Sequence, residues 1–386
     1  MSPVRDYGGV VRRRDGGSKG MSSVPSGAHR VLIASGASAG HLYPALAFAQ
    51  GLASKRDGIE IAFVSSRRRG IENCIKEAGY PLFFISVCQF NLNLLKFLES
   101  AYRLTRSFLE SFLIIRRFNP DIVVGFGSYV SFPVLFEAAV LGKATLIHEQ
   151  NTHLGLANRI LSHFVDKTAI SFREMYPSSS KFVFTGNPLR RSLFIEDKEK
   201  ARRFFNLGDV FTILGVGGSQ GSHKINTAFK DAVKILVNKN EGFQFIHLSG
   251  NTDYLHLKDQ YKYITIKHRL FDFFADMHLA YSLADLVVCR AGAGTLSELA
   301  YFGKAAILIP YPYAGGHQAK NAKFLKRENA ALVIEERALS GEVLGAKISH
   351  LMRSSDERKT LEVNIRKFAI ADAGDRLAEL TLSLIR

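Results

Sequence analysis

Short apolar runs separated by helix-length stretches set the rhythm of this chain from Val31 onward. Val31-Leu32-Ile33-Ala34, closed by Ser35-Gly36, has the pattern of a buried parallel strand leading into a loop. Runs of the same kind recur at 59–64, 122–124, 144–147 and 182–184, with helix-length segments between them, notably 45–54 and 94–118. Strand and helix alternate, which predicts a parallel sheet covered on both faces. Around Asn187-Pro188 the pattern stops, and a highly charged stretch at 196–203 follows. It then restarts with a strand at 211–216, a glycine loop at 217–221 and a helix at 225–237. Further strands are predicted at 244–248, 286–288 and 305–309. Each half opens with a strand and a glycine-rich turn into a helix. The prediction is two doubly wound α/β domains facing a cleft, with ligands at the carboxyl ends of the strands.

Composition narrows this picture. A chain of 386 residues is long for one core and suits two domains of ordinary size. The three cysteines, Cys74, Cys88 and Cys289, form neither a disulfide framework nor a metal-ligand pattern, which fits a reducing cytoplasm. No apolar run reaches the roughly 18–20 residues that cross a bilayer. Residues 1–28 are basic and Gly/Ser-rich, with Arg12-Arg13-Arg14 but no apolar core of a secretory signal; they are expected to be a disordered tail, with Met21 as an alternative start. The net charge of +16 attracts polyanions, whether nucleic acid, acidic lipid or a phosphorylated substrate. No nucleic-acid-binding motif accompanies it, so nucleic acid is not an expected partner.

The loops carry the candidate chemistry. Gly36-Ala37-Ser38-Ala39-Gly40-His41 lets the backbone approach an anion at a helix N-terminus; a tight strand-to-helix turn is the plainer reading. Its spacing is neither a P-loop nor a dinucleotide fingerprint. His41 can exchange a proton near neutral pH, or serve as a polar cap. Gly125–Ser131, with Ser128 and Tyr129, suits a phosphate or a sugar, or is an ordinary turn. Two such loops at adjacent strand ends would fit a pyrophosphate. His148-Glu149-Gln150-Asn151 follows a strand, and four polar side chains there need partners if buried, which suggests that they line a site.

In the second half, residues 217–221 sit between a clear strand and a clear helix and make the better anion loop. Arg290 edges the segment 291–298, whose Glu298 can accept both hydroxyls of a ribose. A capping box of Thr295 with Glu298 fits the same spacing. The amide and imidazole groups of 315–321 suit sugar hydroxyls, or a polar helix start. No Asp-x-Asp and no metal-ligand cluster occurs, so no metal cofactor is expected.

Taken in order, 36–41, 125–133, 148–151, 186–190, 217–222, 289–298 and 317–321 resemble the MurG family, bacterial transferases that turn lipid I into lipid II. The resemblance runs from about Val31 to the C-terminus. It implies a GT-B fold, two Rossmann-like domains with the nucleotide sugar held mainly by the second. It also implies an acceptor and membrane domain at 29–187, a UDP-sugar domain at 188–370, and a last helix, about 371–386, returning to the first domain. The family pattern puts Glu298 on the ribose and Ser219 and Gln220 near the diphosphate. Thr295, Gln318 and Asn151 fall around the N-acetylglucosamine, and Arg190 near the nucleotide. His41, with Ser38 and Gly40, meets the acceptor pyrophosphate. This chain departs from the family at Ala37, Ser38 and Ala39, where Gly, Thr and Gly are usual. Ala293 and Gly294 replace variable residues of the sugar pocket, and His317 fills a position that is Gln in some members.

The implied reaction is inverting transfer of N-acetylglucosamine from UDP-N-acetylglucosamine to the C4 hydroxyl of lipid I in peptidoglycan synthesis. His41 is the candidate base and Glu149 the alternative. The helix following Gly221, and Arg190, would meet the charge developing on UDP. Residues 94–118 carry Lys96, Arg103, Arg106 and Arg117 in one sector, bordered by Leu95, Tyr102 and Leu113, outside a core stripe of Leu94, Leu98, Ala101, Phe108 and Phe112. That helix would dock peripherally on the anionic cytoplasmic face of the plasma membrane, Glu99 and Glu110 notwithstanding. A cell-wall or division complex is a further expected partner. Three other readings stand beside this one: a related lipid glycosyltransferase, a UDP-N-acetylglucosamine 2-epimerase of similar architecture, and a catalytically silent nucleotide-sugar binder.

Overall fold

The computed structural model describes residues 29–36, 38–67, 69–86, 94–173, 179–218 and 221–385. The tail at 1–28 and Cys88 fall outside them. Two parallel sheets organise the chain. The first holds β1 (Arg30–Ala34), β2 (Glu60–Ser65), β3 (Leu82–Phe84), β4 (Ile122–Gly125), β5 (Ala144–Glu149), β6 (Lys167–Ile170) and β7 (Phe182–Phe184), in the order β3-β2-β1-β4-β5-β6-β7. The second holds β8 (Thr212–Val216), β9 (Gln244–Leu248), β10 (His268–Phe271), β11 (Leu286–Cys289), β12 (Ala306–Leu308) and β13 (Leu332–Val333), in the order β10-β9-β8-β11-β12-β13. Both orders are those of a doubly wound sheet, as the alternation predicts.

In the first half the helices are α1 (Ala39–Lys55), α2 (Arg69–Glu77), α3 (Leu94–Phe118), α4 (Ser128–Val140) and α5 (Leu156–Leu161). The second half adds α6 (Lys198–Phe205), α7 (His223–Asn238), α8 (Asn251–Tyr261), α9 (Met277–Leu283), α10 (Ala293–Phe302) and α11 (His317–Arg327). It ends with α12 (Gly341–Arg353), α13 (Ser355–Arg366) and α14 (Ala373–Leu384). Each sheet has an apolar core on both faces. Val31 and Ile33 pack with α1, and Leu32 and Ala34 with α4, because successive strand residues point to opposite faces. The last helix returns to the first sheet: Leu377 and Ala378 of α14 are buried in the core shared with β1 and α1.

Strands β3, β6, β10 and β13 are not among those predicted: β6 and β10 mix polar with apolar residues, and β3 and β13 are only three and two residues long. Three have only partly buried residues, and each is an edge strand or lies next to one. Pairing with an already formed neighbour places them, which local pattern cannot reveal. The helix expected at 45–54 begins earlier, at Ala39, and carries Pro44 inside it. Pro44 has no N–H, so the carbonyl of Gly40 has no helical partner four residues on.

The long helix α3 runs Leu94–Phe118 as expected, but its inner face differs. Its described buried residues are Ser100, Ser107, Ser111, Ile115 and Phe118, whereas Ala101, Phe108 and Phe112 are only half-buried. Small serines let the helix approach the sheet closely. The bulky rings sit to one side, where Phe108 packs edge-on against Phe132 and Phe136 of α4. The side chains of Leu94, Leu95, Lys96, Leu98 and Glu99 lie outside the described residues. No helix among the described residues is long and apolar enough to cross a membrane.

Candidate active site

The strand orders reverse between β1 and β4 in the first sheet and between β8 and β11 in the second. At such a switch point the two following loops diverge and leave a crevice. The first crevice is bounded by Ser35, Gly36 and Ser38 after β1 and Phe126-Gly127 after β4. Ser38 is the residue preceding α1, yet its hydroxyl makes no cap bond. Its Oγ lies 2.7 Å from Nδ1 of His41 instead. His41 is therefore one turn inside the helix and not its cap.

Close approach of the two loops is enforced at Gly36, where a Cβ would stand 2.2 Å from Cβ of Ser128 and 3.2 Å from Nδ1 of His41. Helix α4 is entered through two successive positive φ angles, +83° at Gly127 and +72° at Ser128. The second is unusual for a residue with a side chain, and such strain gathers at functional sites. Ser128 is half-buried, Tyr129 is exposed, and Gly40 faces open space. Burial lowers the pKa of His41; nearby Glu149 opposes the shift and His317 adds to it. The imidazole is thus neutral at pH 7.

The four polar residues expected to line a site after β5 divide sharply. His148, Glu149 and Gln150 are buried and find their partners inside the protein. Nε2 of His148 meets the carbonyl of Gly186 at 2.9 Å, while its Nδ1 accepts from Gln150 Nε2 at 3.1 Å. Glu149 receives the backbone N–H and Nδ2 of Asn151 on one oxygen, at 3.0 and 2.9 Å. Its other oxygen receives Gly155 N and Asn158 Nδ2, both at 2.9 Å. Only Asn151 remains half-exposed at the cleft.

Asn321 joins the two halves. Its Oδ1 accepts from the N–H and Oγ1 of Thr152, each at 3.0 Å, and its Nδ2 donates to Asn151 Oδ1 and to the carbonyl of Ala291, each at 3.1 Å. This amide is fully buried and fully engaged, so it does not serve a sugar as the sequence pattern suggested. His317, the first residue of α11, lies beside Gly155, and its buried Nδ1 has no hydrogen-bond partner. Gln318 accepts the N–H of Tyr311 through Oε1 at 3.0 Å.

At the second crevice, β8 leads into Gly217 and Gly218, and the turn closes at Gly221. Ser219 and Gln220 lie outside the described residues. Gly221 has φ +79°, and a Cβ there would meet the carbonyl oxygen of Ser249 at 2.3 Å. Ser222 caps α7, its hydroxyl accepting from Ile225 N. The same hydroxyl receives Nη2 of Arg290 at 2.7 Å, while the Arg290 guanidinium pairs with buried Glu336 at 2.5 Å and stacks over Tyr311.

Helix α10 begins at Ala293 behind Gly292, so Thr295 is not a cap and the capping-box reading of Glu298 does not hold. Ala293 is buried, while Gly294 and Thr295 are half-buried at the first turn. Glu298 is held instead by Tyr281, whose hydroxyl donates to Oε2 at 2.9 Å. Burial raises the Glu298 pKa, and this hydrogen bond and the charge of Arg190 oppose the rise. Arg190 stacks over Tyr43 of α1, with 4.7 Å to the ring centroid, while its charge also acts on Glu298.

Ser38, Gly40, His41, Ser128 and Tyr129 therefore gather at one crevice, and Glu298, Thr295, Gly294 and Ala293 at the other. Asn151, His317 and Arg190 stand where the halves meet. Tyr43, Tyr281 and Asn158 support these groups but carry no motif signal, because each acts through a partner on a different element.

Residues 31–170 match the glycosyltransferase family 28 N-terminal domain and residues 212–377 the glycosyltransferase family 28 C-terminal domain. A relative from Thermodesulfovibrio yellowstonii is 39% identical over 362 residues, covering 92% of this chain and 99% of its own. It is named a UDP-N-acetylglucosamine--N-acetylmuramyl-(pentapeptide) pyrophosphoryl-undecaprenol N-acetylglucosamine transferase. One from Citrifermentans bemidjiense with the same name is 37% identical over 359 residues, covering 92% of this chain and 99% of its own. The crystal structure of Acinetobacter baumannii MurG superposes with a TM-score of 0.75 at 28% identity, covering 92% and 99% of the two chains. A UDP-GlcNAc 2-epimerase from Neisseria meningitidis, bound to UDP-GlcNAc, reaches 0.66 at 12% identity over 92% of this chain and 100% of its own, which shows a shared fold alone.

Proposed function

The chain belongs to glycosyltransferase family 28, and from that membership we infer that it transfers N-acetylglucosamine from UDP-N-acetylglucosamine to lipid I. Undecaprenyl-pyrophosphoryl-N-acetylmuramoyl-pentapeptide would be the acceptor and lipid II the product. The observation that carries this reading is a match along 92% of the chain to relatives of that activity, 99% of whose own length is matched. A 2-epimerase reading has only likeness of fold behind it.

The site supports a division of labour. Glu298, held by Tyr281, is suited to accept the ribose hydroxyls, since no capping role competes for it. The N-terminus of α7 behind Gly221 is suited to the diphosphate, with Ser219 and Gln220 in that loop. Asn151, Thr295, His317 and Gln318 border the space left for the sugar. The acceptor pyrophosphate would lie against Ser38, Gly40, Ser128 and Tyr129, at the entrance to α4.

In the reaction, the C4 hydroxyl forms a bond to the anomeric carbon from the face opposite UDP. The anomeric carbon–phosphate oxygen bond breaks, and its electron pair leaves with UDP. The proton passes to His41, whose lowered pKa keeps a lone pair available. Donation of Nδ1–H to Ser38 would leave Nε2 as that base. Glu149 is the weaker candidate, because four protein donors already occupy its oxygens. Arg190, between Tyr43 and Glu298, would couple closure of the two halves to the bound nucleotide.

Peripheral attachment to the cytoplasmic face of the membrane is supported by a row of exposed apolar residues on packed helices of the first half. They are Tyr102, Leu109 and Leu113 on α3, Val140 on α4, and Ile160 with Phe164 at α5. Exposed Arg103, Arg116, Arg117 and Arg159 accompany them. Glu110 does not oppose this surface, since it turns to bind Arg106 and the N–H and hydroxyl of Ser86.

The test is release of UDP from UDP-N-acetylglucosamine in EDTA, with and without a short-chain lipid I analogue. Acceptor-dependent release together with a disaccharide lipid is the expected result. Release without acceptor, or formation of the 2-epimer, would overturn the reading.

A further inference from the structure

The lip of the cleft between the two halves carries lysines that form no ion pair among the described residues. Thr152 is bonded through its N–H and hydroxyl to Asn321, and His153 follows it, with Nδ1 3.1 Å from the Thr152 hydroxyl. Lys320 precedes Asn321 in the first turns of α11. This loop and this helix therefore meet edge to edge, and Lys320 is close enough for its charge to help lower the pKa of His153, after burial. Helix α11 contains Lys320, Lys323, Lys326 and Arg327 and no acidic residue. The three lysines are exposed and make no ion pair among the described residues, whereas Arg327 is paired with Glu328. Like charges on one helix face repel, so the row is maintained at some cost in stability.

The chemistry of the acceptor places a charge here. On a muramoyl ring C1 bears the pyrophosphate, C4 is the nucleophile, and C3, next to C4, bears the lactyl ether and the peptide. With C1 at the loops of the first half and C4 directed at the donor in the second, the C3 substituent leaves the cleft on the donor side. The peptide is attached through its amino end, so its free end is a carboxylate. We propose that the lip formed by residues 151–155 and the start of α11 is a subsite for the acceptor's peptide stem, with Lys320 and Lys323 binding its carboxylates. This rests on the reading of the chain as a lipid I transferase.

Two short-chain lipid I analogues test it, one with free peptide carboxylates and one with those carboxylates amidated. In the Lys320→Gln/Lys323→Gln variant, KM for the free-carboxylate acceptor should rise roughly three- to tenfold, as the loss of two solvent-exposed ion pairs implies. Its kcat and its KM for UDP-N-acetylglucosamine should not change. The amidated acceptor should show the same KM with the variant as with the unaltered protein. An unchanged KM for the free-carboxylate acceptor, or equal losses on both acceptors, would overturn the subsite. Absence of transfer by the unaltered protein would remove the transferase reading and the subsite with it, and is seen before any variant is made.

Discussion

The hydroxyl of Tyr281 donates to Oε2 of Glu298 at 2.9 Å, across two helices of the second half, and holds a carboxylate whose pKa burial raises. The bond orients an acceptor of hydroxyls and opposes the rise that burial causes. Tyr281→Phe removes a charge-assisted bond of about 1–3 kcal/mol. KM for UDP-N-acetylglucosamine should rise by roughly five- to a hundredfold. The bond also lowers the Glu298 pKa, so the acid limb of the pH profile should move to higher pH. Steady-state kinetics across pH would check both, and an unmoved acid limb would separate Tyr281 from the state of Glu298.

His41 as base requires a neutral imidazole, and activity should fall as pH drops through a pKa below the usual histidine value, because burial lowers it. His41→Ala should cost about 10²–10⁴ in kcat. Ser38→Ala, which frees the tautomer, should cost roughly fivefold, the worth of one neutral hydrogen bond of about 1 kcal/mol. If His41→Ala retains near-normal kcat and shifts only acceptor KM, the residue binds pyrophosphate and another group takes the proton.

Two fully buried histidines set the response of stability to acid. Burial depresses His148 to about 4 and His247 to about 3. Both are bonded as neutral rings, His247 between Tyr261 and Asn226. Below the unfolded histidine pKa of about 6.5 the unfolded chain binds these protons and the folded chain does not, so stability is lost as pH falls. From roughly pH 6 to pH 4 the two together should remove about 2 kcal/mol per pH unit, the slope easing near pH 4 as His148 begins to titrate in the folded chain. Urea unfolding across that range measures the slope, and His247→Gln should reduce it by about half. A flat profile would mean that water reaches these rings.

Attachment to lipid should depend on exposed residues that the fold does not need. Leu109 and Leu113 are 59% and 57% exposed, so Leu109→Glu/Leu113→Glu should leave the melting temperature nearly unchanged. Losing two leucines of about 1.5–3 kcal/mol each when buried in lipid should weaken binding to anionic vesicles by well over tenfold. Turnover of a water-soluble acceptor should be unaffected. Vesicle sedimentation at matched salt would show it, and undiminished binding would move the contact elsewhere.

Repeating apolar runs and glycine turns were sufficient to read two doubly wound halves and the loops that border the cleft, because both signals are local. A buried strand must be apolar on both faces, and a tight turn into a helix needs small residues wherever it lies. Helix α3 was legible to its end residues for the same reason. Tertiary structure alone decided which face of α3 is buried, since serines that allow close approach look polar in the sequence. It also separated the neighbours at 148–151, turning three inward and leaving Asn151 at the cleft. The capping box at Thr295 and Glu298 has correct spacing and fails because α10 starts two residues before Thr295. Tyr281, Asn158 and Tyr43 had no local signal: each matters through a hydrogen bond or ring contact to a residue on another element. Such contacts are made by packing, and spacing along the chain does not encode them.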